Sequence, residues 1–171
     1  MIYRQNYATS DGFDDMVMIS DGEKLTGLLF TGSEDIRKLS LPENETSLPV
    51  FDKTKEWLDE YFGGEIPSFT PDLCVSALSP FQKTVSGIMM GIPYGKTMTY
   101  GEMATIIAKE RGIKRMSARA VGGAVGANPI CIIIPCHRVL GAHGAITGYG
   151  GGIKNKENLL KLEKSRFITK F

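Results

Sequence analysis

The sequence predicts an α+β protein built of a small antiparallel sheet with one helix, followed by a mostly helical part. Three observations lead to this prediction. Short segments rich in Ile, Val, Tyr, Leu and Phe fill the first 31 residues, apolar residues recur at helical spacing after residue 80, and the charge changes sign between the two parts. We therefore divide the chain into an N-terminal sheet and helix domain, residues 1–75, and a C-terminal domain, residues 76–171.

The charge asymmetry is large although the whole chain carries only +1. Residues 1–75 hold 6 basic and 15 acidic side chains, a formal charge of −9, whereas residues 76–171 hold 14 basic and 4 acidic ones, a formal charge of +10. This pattern favours a polyanionic partner for the second part. The alternative is two solvated surfaces that attract each other.

The composition excludes several classes of protein. A hydrophobic share of 42% with 23% charged residues argues against disorder. No apolar run approaches the roughly 18 residues of a membrane span, and the first residues lack the order of a signal peptide. We expect a cytoplasmic protein, nuclear if eukaryotic, with no membrane association. Its three cysteines are an odd number, which favours free thiols over a disulfide framework.

The first part contains three predicted strands and one helix. The strands are expected over residues 2–8, 16–20 and 24–31. Asp21-Gly22 is expected to form the second hairpin turn, because both residue types tolerate positive φ. Residues 42–47 are loop-like, and apolar residues at helical spacing predict a helix over residues 50–62, ended by Gly63-Gly64.

The second part follows a proline-rich connection, residues 65–80, and contains four predicted helices. They are expected over residues 81–90, 100–110, 117–127 and 154–164, with a turn at Pro93-Tyr94-Gly95. The second and third of these helices are short and joined by a tight basic turn, which is the layout of a helix-turn-helix.

Seven of the eleven residues of the helix over residues 117–127 are Gly or Ala, and Arg119 is its only long side chain. Each glycine costs a helix about 1 kcal/mol relative to alanine, so tertiary packing or a need for a slim surface must offset the loss. Such a face allows close approach to a nucleic acid. The alternative is a helix packed in the core with Arg119 in a surface salt bridge.

The apolar run of residues 130–134 predicts a buried strand that ends at Pro135-Cys136-His137-Arg138. Cys131, Cys136, His137 and His143 could be taken as zinc ligands. Because strand side chains alternate between faces, however, Cys131 and Cys136 are expected to point to opposite sides. We therefore predict no metal site and no cofactor. The loop that follows, residues 141–152, is rich in Gly and Ala and suits a flat ligand.

Cys136 is the candidate nucleophile, since positive or potentially positive residues follow it. His137 is the obvious base, although as a neighbour in an extended chain its ring would point away from the sulfur, so that a water or a local turn must connect them. A carboxylate should then orient the imidazole. Glu163 is the best candidate among the four glutamates of the basic part.

The ordered motifs of this part resemble the O6-alkylguanine-DNA alkyltransferases, the methylated-DNA–protein-cysteine methyltransferase family. The motifs that carry the resemblance are Ser79-Pro80-Phe81-Gln82, Ile92-Pro93-Tyr94-Gly95-Lys96-Thr97, Tyr100-Gly101-Glu102, Arg119-Ala120-Val121-Gly122-Gly123, Asn128-Pro129, Pro135-Cys136-His137-Arg138-Val139, Thr147-Gly148-Tyr149-Gly150-Gly151-Gly152 and Leu159-Leu160. Together they cover residues 79–164. The resemblance implies a ribonuclease-H-like N-terminal sheet domain, for which the likeness is only general.

The resemblance implies direct-reversal DNA repair by a monomeric protein that is used once, acting on double-stranded DNA with O6-alkylguanine or O4-alkylthymine. Cys136 would take the alkyl group, His137 would deprotonate it through a water, Glu163 would orient His137, and Tyr100 would donate a proton towards guanine N3. Some family members carry zinc in the N-terminal domain. No such site is expected here, because Cys74 is the only cysteine and no histidine occurs before residue 76.

The resemblance also implies the residues that hold DNA and the flipped base. The helix that begins at Ser117, with Ala120 and Gly123 on its surface, would lie in the minor groove, and Arg119 would fill the space of the flipped nucleotide. The expected base-pocket residues are Asn128, Val139, Tyr149 and Gly150. Two departures bear on DNA affinity, the basic segment of residues 109–115 and Gly126, where some members have arginine.

Three other functions compete with this interpretation. A non-catalytic alkyltransferase-like sensor would lack the cysteine that stands at position 136. A helix-turn-helix transcription factor would usually present several polar side chains to base edges, whereas this helix presents one arginine. A Cys-His hydrolase would need an oxyanion hole, for which the sequence shows no signature.

Overall fold

The first 30 residues form a three-stranded antiparallel sheet. The structure, a computed structural model, describes the backbone of residues 1–168 and the side chains of residues 1–164. The strands of the sheet, in the order β1-β2-β3, are β1 (Tyr3–Tyr7), β2 (Met16–Ser20) and β3 (Leu25–Phe30). Tyr7 pairs with Met16, which in turn pairs with Phe30. All of β2 is buried, because it is the central strand and a helix packs against it. The predicted strands are confirmed.

The turn between β2 and β3 differs from the prediction in detail. It spans four residues, 21–24, and Gly22 is its only residue with positive φ, at +113°. The carboxylate of Asp21 instead accepts hydrogen bonds from the backbone N–H groups of Glu23 and Lys24, at 3.0 and 2.8 Å. The hairpin turn therefore lies at Asp21-Gly22 as expected, but only Gly22 has positive φ, and the Asp21 side chain closes the turn.

Two helices complete the acidic half. Helix α1 (Glu34–Arg37) is a single turn capped by Ser33, and α2 (Pro49–Phe62) is the predicted long helix. Residues at helical spacing form the buried face of α2, which packs against β2 and β3: Val50, Phe51, Thr54, Trp57, Leu58 and Tyr61. The backbone then turns at Gly64, where φ is +84°.

Two isolated parallel bridges pair β3 with later segments of the chain. Leu73, in the predicted connection, bridges Leu25, and Ile130, in the second half, bridges Leu28. One continuous hydrophobic cluster therefore contains residues from both sides of the predicted boundary. The division at residue 75 stays a prediction, and residues 169–171 of the second unit lie outside the described part.

Up to residue 168, the basic half contains four α-helices and two very short strands. They are α3 (Pro80–Met90), β4 (Met98–Thr99), α4 (Tyr100–Glu110), α5 (Ala118–Gly126), β5 (Val139–Leu140) and α6 (Ile153–Ile168). Capping explains where the first three helices begin. Ser79 and Thr99 each form a capping box with a residue three positions on, and Ser117 accepts from the N–H of Ala120 at 3.2 Å.

Residues 130–134 are buried, but the predicted strand is wrong. After the bridge at Ile130 the chain forms consecutive turns, and Ile132 has φ +69°. Hydrogen bonds from the N–H of Ile133 to Cys131 O and from the N–H of Cys136 to Ile134 O, both 2.8 Å, compact the segment. Apolarity predicts the burial correctly, whereas the conformation depends on the tertiary contacts around it.

The glycine-rich loop lies against the sheet. A Cβ atom at Gly151 would stand 2.6 Å from the ring of Phe30, so only glycine lets the loop pack this closely. The loop begins with a short 3₁₀ turn, Ala142–Gly144, and α6 follows the loop. Among residues 1–168, no helix has the length and apolarity needed to cross a bilayer.

Candidate active site

A cavity of about 390 Å³ opens between α5, the turn that contains Cys131, and the glycine-rich loop. Six of the predicted site residues line it, namely Tyr100, Arg119, Asn128, Cys136, Tyr149 and Gly150. Asp35, from α1, and Lys156, from α6, also line it. The sheet half and the helical half therefore both contribute to its wall.

Cys136 begins a 3₁₀ helix, Cys136–Arg138, and is 5% exposed. Hydrogen bonding from the neighbouring thiol of Cys131 lowers the pKa of Cys136 below its ordinary value, against the opposing effect of burial. Asn128, Tyr149 and the charge of Lys156 lower this pKa further. The Sγ atom lies 3.9 Å from the Tyr149 hydroxyl. A buried thiol with a depressed pKa is suited to act as a nucleophile.

Asn128 joins the end of α5 to the turn before Cys136. Its amide nitrogen donates to the carbonyls of Ile130 and Ile134, at 3.2 and 2.8 Å, and its Oδ1 accepts from the N–H of Ile130 at 3.1 Å. The side chain is buried, so these bonds replace water and hold the turn. A shift of the helix would therefore be transmitted to the segment that carries the thiol.

His137 and Glu163 lie in direct contact beneath the cavity. His137 Nε2 is 2.7 Å from Glu163 Oε1, and both side chains are almost fully buried. A carboxylate can only accept, so Nε2 carries the proton and Nδ1 is the basic nitrogen. That nitrogen is buried and has no hydrogen-bond partner among the described residues. Burial lowers the pKa of His137 more than Glu163 raises it, which leaves the imidazole neutral near pH 7.

Arg138 and Tyr61 complete this network, and neither was singled out from the sequence. Arg138 donates from Nε and Nη2 to the Glu163 carboxylate at 2.9–3.2 Å, and Tyr61 OH donates to Oε1 at 2.8 Å. Burial by itself raises the pKa of Glu163, but His137 and Arg138 outweigh it and bring the pKa to about 2. Glu163 is therefore ionised and holds its four neighbours, including the N–H of Gly95 at 3.1 Å.

Lys156 is a further residue that sequence reasoning missed. It is 1% exposed, and its Nζ donates to Val139 O at 2.7 Å and lies 5.7 Å from the centre of the Tyr149 ring. Burial lowers the pKa of Lys156, and the charge on Cys136 opposes that shift. The cation thus ties α6 to β5 and stabilises a thiolate in the cavity. No local motif marks it, since one lysine in a helix is normally a surface residue.

Two tyrosine side chains, Tyr100 and Tyr149, line the cavity together with the Cys136 thiol. Tyr100, at the start of α4, is half-buried, and burial raises its pKa. Burial likewise raises the pKa of Tyr149, followed by the charge of Cys136. Both phenols therefore keep their protons and can donate hydrogen bonds inside the cavity. Gly150 follows Tyr149 and packs tightly against α1, since a Cβ atom added to it would stand 3.3 Å from the Asp35 carboxylate.

The exposed face of α5 carries small residues and one arginine. Ser117, Arg119, Ala120 and Gly123 are all exposed, whereas Val121, Ala124 and Val125 pack inward against α3 and α4. Arg119 forms no ion pair within the described part of the chain, so the salt-bridge alternative has no support there. A Cβ atom at Gly123 or Gly126 would meet nothing within 4 Å. The glycines therefore face open space, as a slim binding surface requires.

The basic segment before α5 is solvent-exposed. Its members, all exposed, are Lys109, Arg111, Lys114 and Arg115. Arg111 lies 5.1 Å from the ring centre of Phe81, which orients its guanidinium beside α3. Four exposed basic side chains therefore lie at the end of α4 and in the connection that leads to α5.

The zinc alternative finds no support in the described residues, where no three His, Cys, Asp or Glu side chains form a group that could hold a metal ion. His137 Nε2 is engaged by Glu163, and His143 is exposed on the 3₁₀ turn. The predicted separation of Cys131 and Cys136 by strand alternation is nevertheless wrong. Both thiols line the same cavity, because the chain between them turns instead of extending.

Comparison with protein families matches residues 80–165 to the family model described as 6-O-methylguanine DNA methyltransferase, DNA binding domain. This range begins at the first residue of α3 and includes the residues of the candidate site except Leu29, Asp35 and Tyr61.

Individual relatives cover nearly the whole chain. A methylated-DNA–protein-cysteine methyltransferase of Haemophilus influenzae is 39% identical over 155 residues, which are 91% of this chain and 83% of that protein. The structure of a Mycobacterium tuberculosis protein of this kind in complex with DNA has a TM-score of 0.76 at 38% identity, covering 96% and 94% of the two chains. The O6-methylguanine-DNA methyltransferase of Pyrococcus kodakaraensis has a TM-score of 0.69 at 26% identity, covering 95% and 99%.

Proposed function

The chain belongs to the methylated-DNA–protein-cysteine methyltransferase family, and on that basis we propose that it repairs duplex DNA by accepting the alkyl group of O6-alkylguanine on Sγ of Cys136. One observation carries the proposal, the buried Cys136 thiol in a cavity beside an exposed Gly/Ala helix. DNA repair by alkyl transfer and DNA binding follow from the family. The residue roles, the flipped base and the single turnover are proposed.

The first step removes the thiol proton. His137 Nδ1, the basic nitrogen of a neutral imidazole, takes this proton through one water, and Glu163 fixes the tautomer by accepting from Nε2. The lowered pKa of Cys136 makes the transfer easier. The 3₁₀ helix at Cys136 supplies the local turn that two neighbouring side chains need in order to act together.

Alkyl transfer is then a displacement at carbon. The thiolate forms the S–C bond while the C–O6 bond breaks, and the bonding pair stays on the guanine oxygen. Tyr100 donates a hydrogen bond to guanine N3 as negative charge builds on the base, and the thiol proton finally resides on guanine. The S–C bond of the thioether product is not broken again in this site, so each protein molecule acts once. O4-alkylthymine presents the same alkyl–oxygen bond and is proposed as a second substrate.

The base reaches the thiol by flipping out of the duplex. The exposed face of α5 lies in the minor groove, where Ser117, Ala120 and Gly123 permit close approach to the backbone, and Arg119 fills the space left by the base. Tyr149 and Gly150 close over the base. The carbonyls of Cys136 and Val139 accept from its amino group. Lys156 donates to the same Val139 oxygen at 2.7 Å and so fixes the position of this carbonyl.

The test is incubation with a duplex that contains O6-methylguanine, followed by mass spectrometry of the tryptic peptides. We expect one methyl group on Cys136 and a reaction that stops at one methyl per protein. Cys136→Ser should accept none, whereas Cys74→Ser, changed outside the cavity, should react like the unaltered protein. Repeated turnover, or a methyl group on another residue, would contradict the proposal.

A further inference from the structure

The cavity that holds Cys136 has a second thiol in its wall, and the proposed reaction uses only the first. Cys131 and Cys136 both line the cavity, and each is 5% exposed. Cys131 therefore lies where small molecules that reach Cys136 can also reach it.

The backbone between the two cysteines explains why their thiols meet. Ile132 adopts φ +69°, a left-handed conformation that is strained for a β-branched residue. Two backbone hydrogen bonds, from the N–H of Ile133 to Cys131 O and from that of Cys136 to Ile134 O, then fold the segment back on itself. The strained turn brings the two thiols to one side of the chain, where an extended strand would have separated them.

Tyr149 lines the same cavity as both cysteines, and its hydroxyl lies 3.9 Å from Cys136 Sγ. The two thiols also influence each other's acidity: Cys131 lowers the pKa of Cys136, and Cys136 raises the pKa of Cys131. Within the described structure, Cys131 is thus the thiol nearest to an oxidised form of Cys136. Cys74 lies outside the cavity, where its Sγ is 3.2 Å from Ser76 Oγ.

We propose that Cys131 is a resolving cysteine, which traps oxidised Cys136 as a Cys131–Cys136 disulfide within the cavity. The oxidant is a hydroperoxide such as hydrogen peroxide. The Cys136 thiolate attacks one peroxide oxygen, the O–O bond breaks, and Cys136 becomes a sulfenic acid while hydroxide leaves. The Cys131 thiol then attacks that sulfur, the S–S bond forms and water leaves. Two thiols are oxidised and one hydroperoxide is reduced.

The disulfide protects a nucleophile that the protein can use only once. Without a nearby thiol, a sulfenic acid is open to oxidation to the sulfinic acid, which thiol reductants do not reverse. With Cys131 in place, a dithiol reductant restores both thiols. The consequence for alkyl acceptance rests on the proposed function, whereas disulfide formation does not.

The experiment treats the full chain with hydrogen peroxide, blocks free thiols with N-ethylmaleimide and maps the tryptic peptides. Both cysteines fall in one peptide, residues 120–138, which contains no internal Lys or Arg. In the unaltered protein we expect this peptide to be two hydrogen atoms lighter than its reduced form and to carry no maleimide. Dithiothreitol should then restore methyl acceptance from O6-methylguanine DNA.

Variants separate the resolving role from general oxidation. Cys131→Ala, with Cys131→Ser as a second variant closer in size, should yield sulfinic Cys136 and a loss of methyl acceptance that dithiothreitol does not reverse. Cys74→Ser should behave like the unaltered protein. The proposal is overturned if the unaltered protein shows sulfinic Cys136, or two maleimides on the peptide, at a peroxide dose that oxidises Cys131→Ala. A reduced protein that accepts no methyl group would refute the proposed function. The peptide mass would still show whether the Cys131–Cys136 disulfide forms.

Discussion

Replacement of Glu163 by glutamine tests the buried network under the cavity. The carboxylate accepts from His137, Arg138, Tyr61 and the N–H of Gly95, and it is 1% exposed. Removal of one partner of a buried ion pair costs about 3–5 kcal/mol. We expect about 3 kcal/mol, because the amide oxygen still accepts one of these bonds. For a chain of this size the midpoint of thermal unfolding should fall by about 6–12 °C.

The same change should slow alkyl transfer. The glutamine amide can donate to His137 Nε2, which moves the imidazole proton to Nδ1 and removes the basic nitrogen. General-base catalysis contributes about 100-fold or more, so we expect at least this loss in the single-turnover rate, measured by the methylation of Cys136 with time. Thermal unfolding by circular dichroism gives the stability.

Two further variants make this test decisive. Glu157→Gln, on the same helix and only partly buried, should change neither the midpoint of thermal unfolding nor the rate of alkyl transfer. Tyr61→Phe removes one hydrogen bond to the carboxylate, and should lower the unfolding free energy by about 1.5–3 kcal/mol with much less effect on rate. If Glu163→Gln unfolds at the original temperature, or reacts at the original rate, the carboxylate does not hold the network together.

Three other expectations follow from the site. Arg119→Ala should weaken reaction with duplex DNA more than with free O6-benzylguanine, and equal losses on both would reject the extrusion role. Lys156→Met should slow methyl transfer at neutral pH and recover at higher pH, because the pKa of Cys136 rises when the cation is removed; an unchanged pH–rate profile would contradict this. The unfolding free energy should fall as pH drops below about 6.5, since the pKa of buried His137 lies lower in the folded than in the unfolded state. In denaturant titrations at several pH values, His137→Asn should make the unfolding free energy depend less on pH.

Local patterns were enough to predict most elements of the fold. Apolar residues at helical spacing predicted the helices α3, α4 and α5 within one residue of their observed bounds, and in the structure Ser79, Thr99 and Ser117 cap these helices. These signals act between residues at most four positions apart, so they survive in almost any tertiary setting. The conformation of residues 130–134 did not follow from such signals. Apolar side chains there specified burial, but a β-branched residue at φ +69° is held by the packing around it.

By itself the sequence determined the chemistry that is available, a thiol with an adjacent imidazole and a Gly/Ala helix with one arginine, because each is contained in a few consecutive residues. Only the tertiary structure decided which distant groups complete the site. Tyr61 meets His137 across 76 residues, Lys156 reaches the carbonyl of Val139 from α6, and Cys131 faces Cys136. The physical reason is that burial and electrostatic environment are properties of the packed chain. A lysine on a helix or a cysteine in an apolar run acquires a desolvated partner only when other segments close over it.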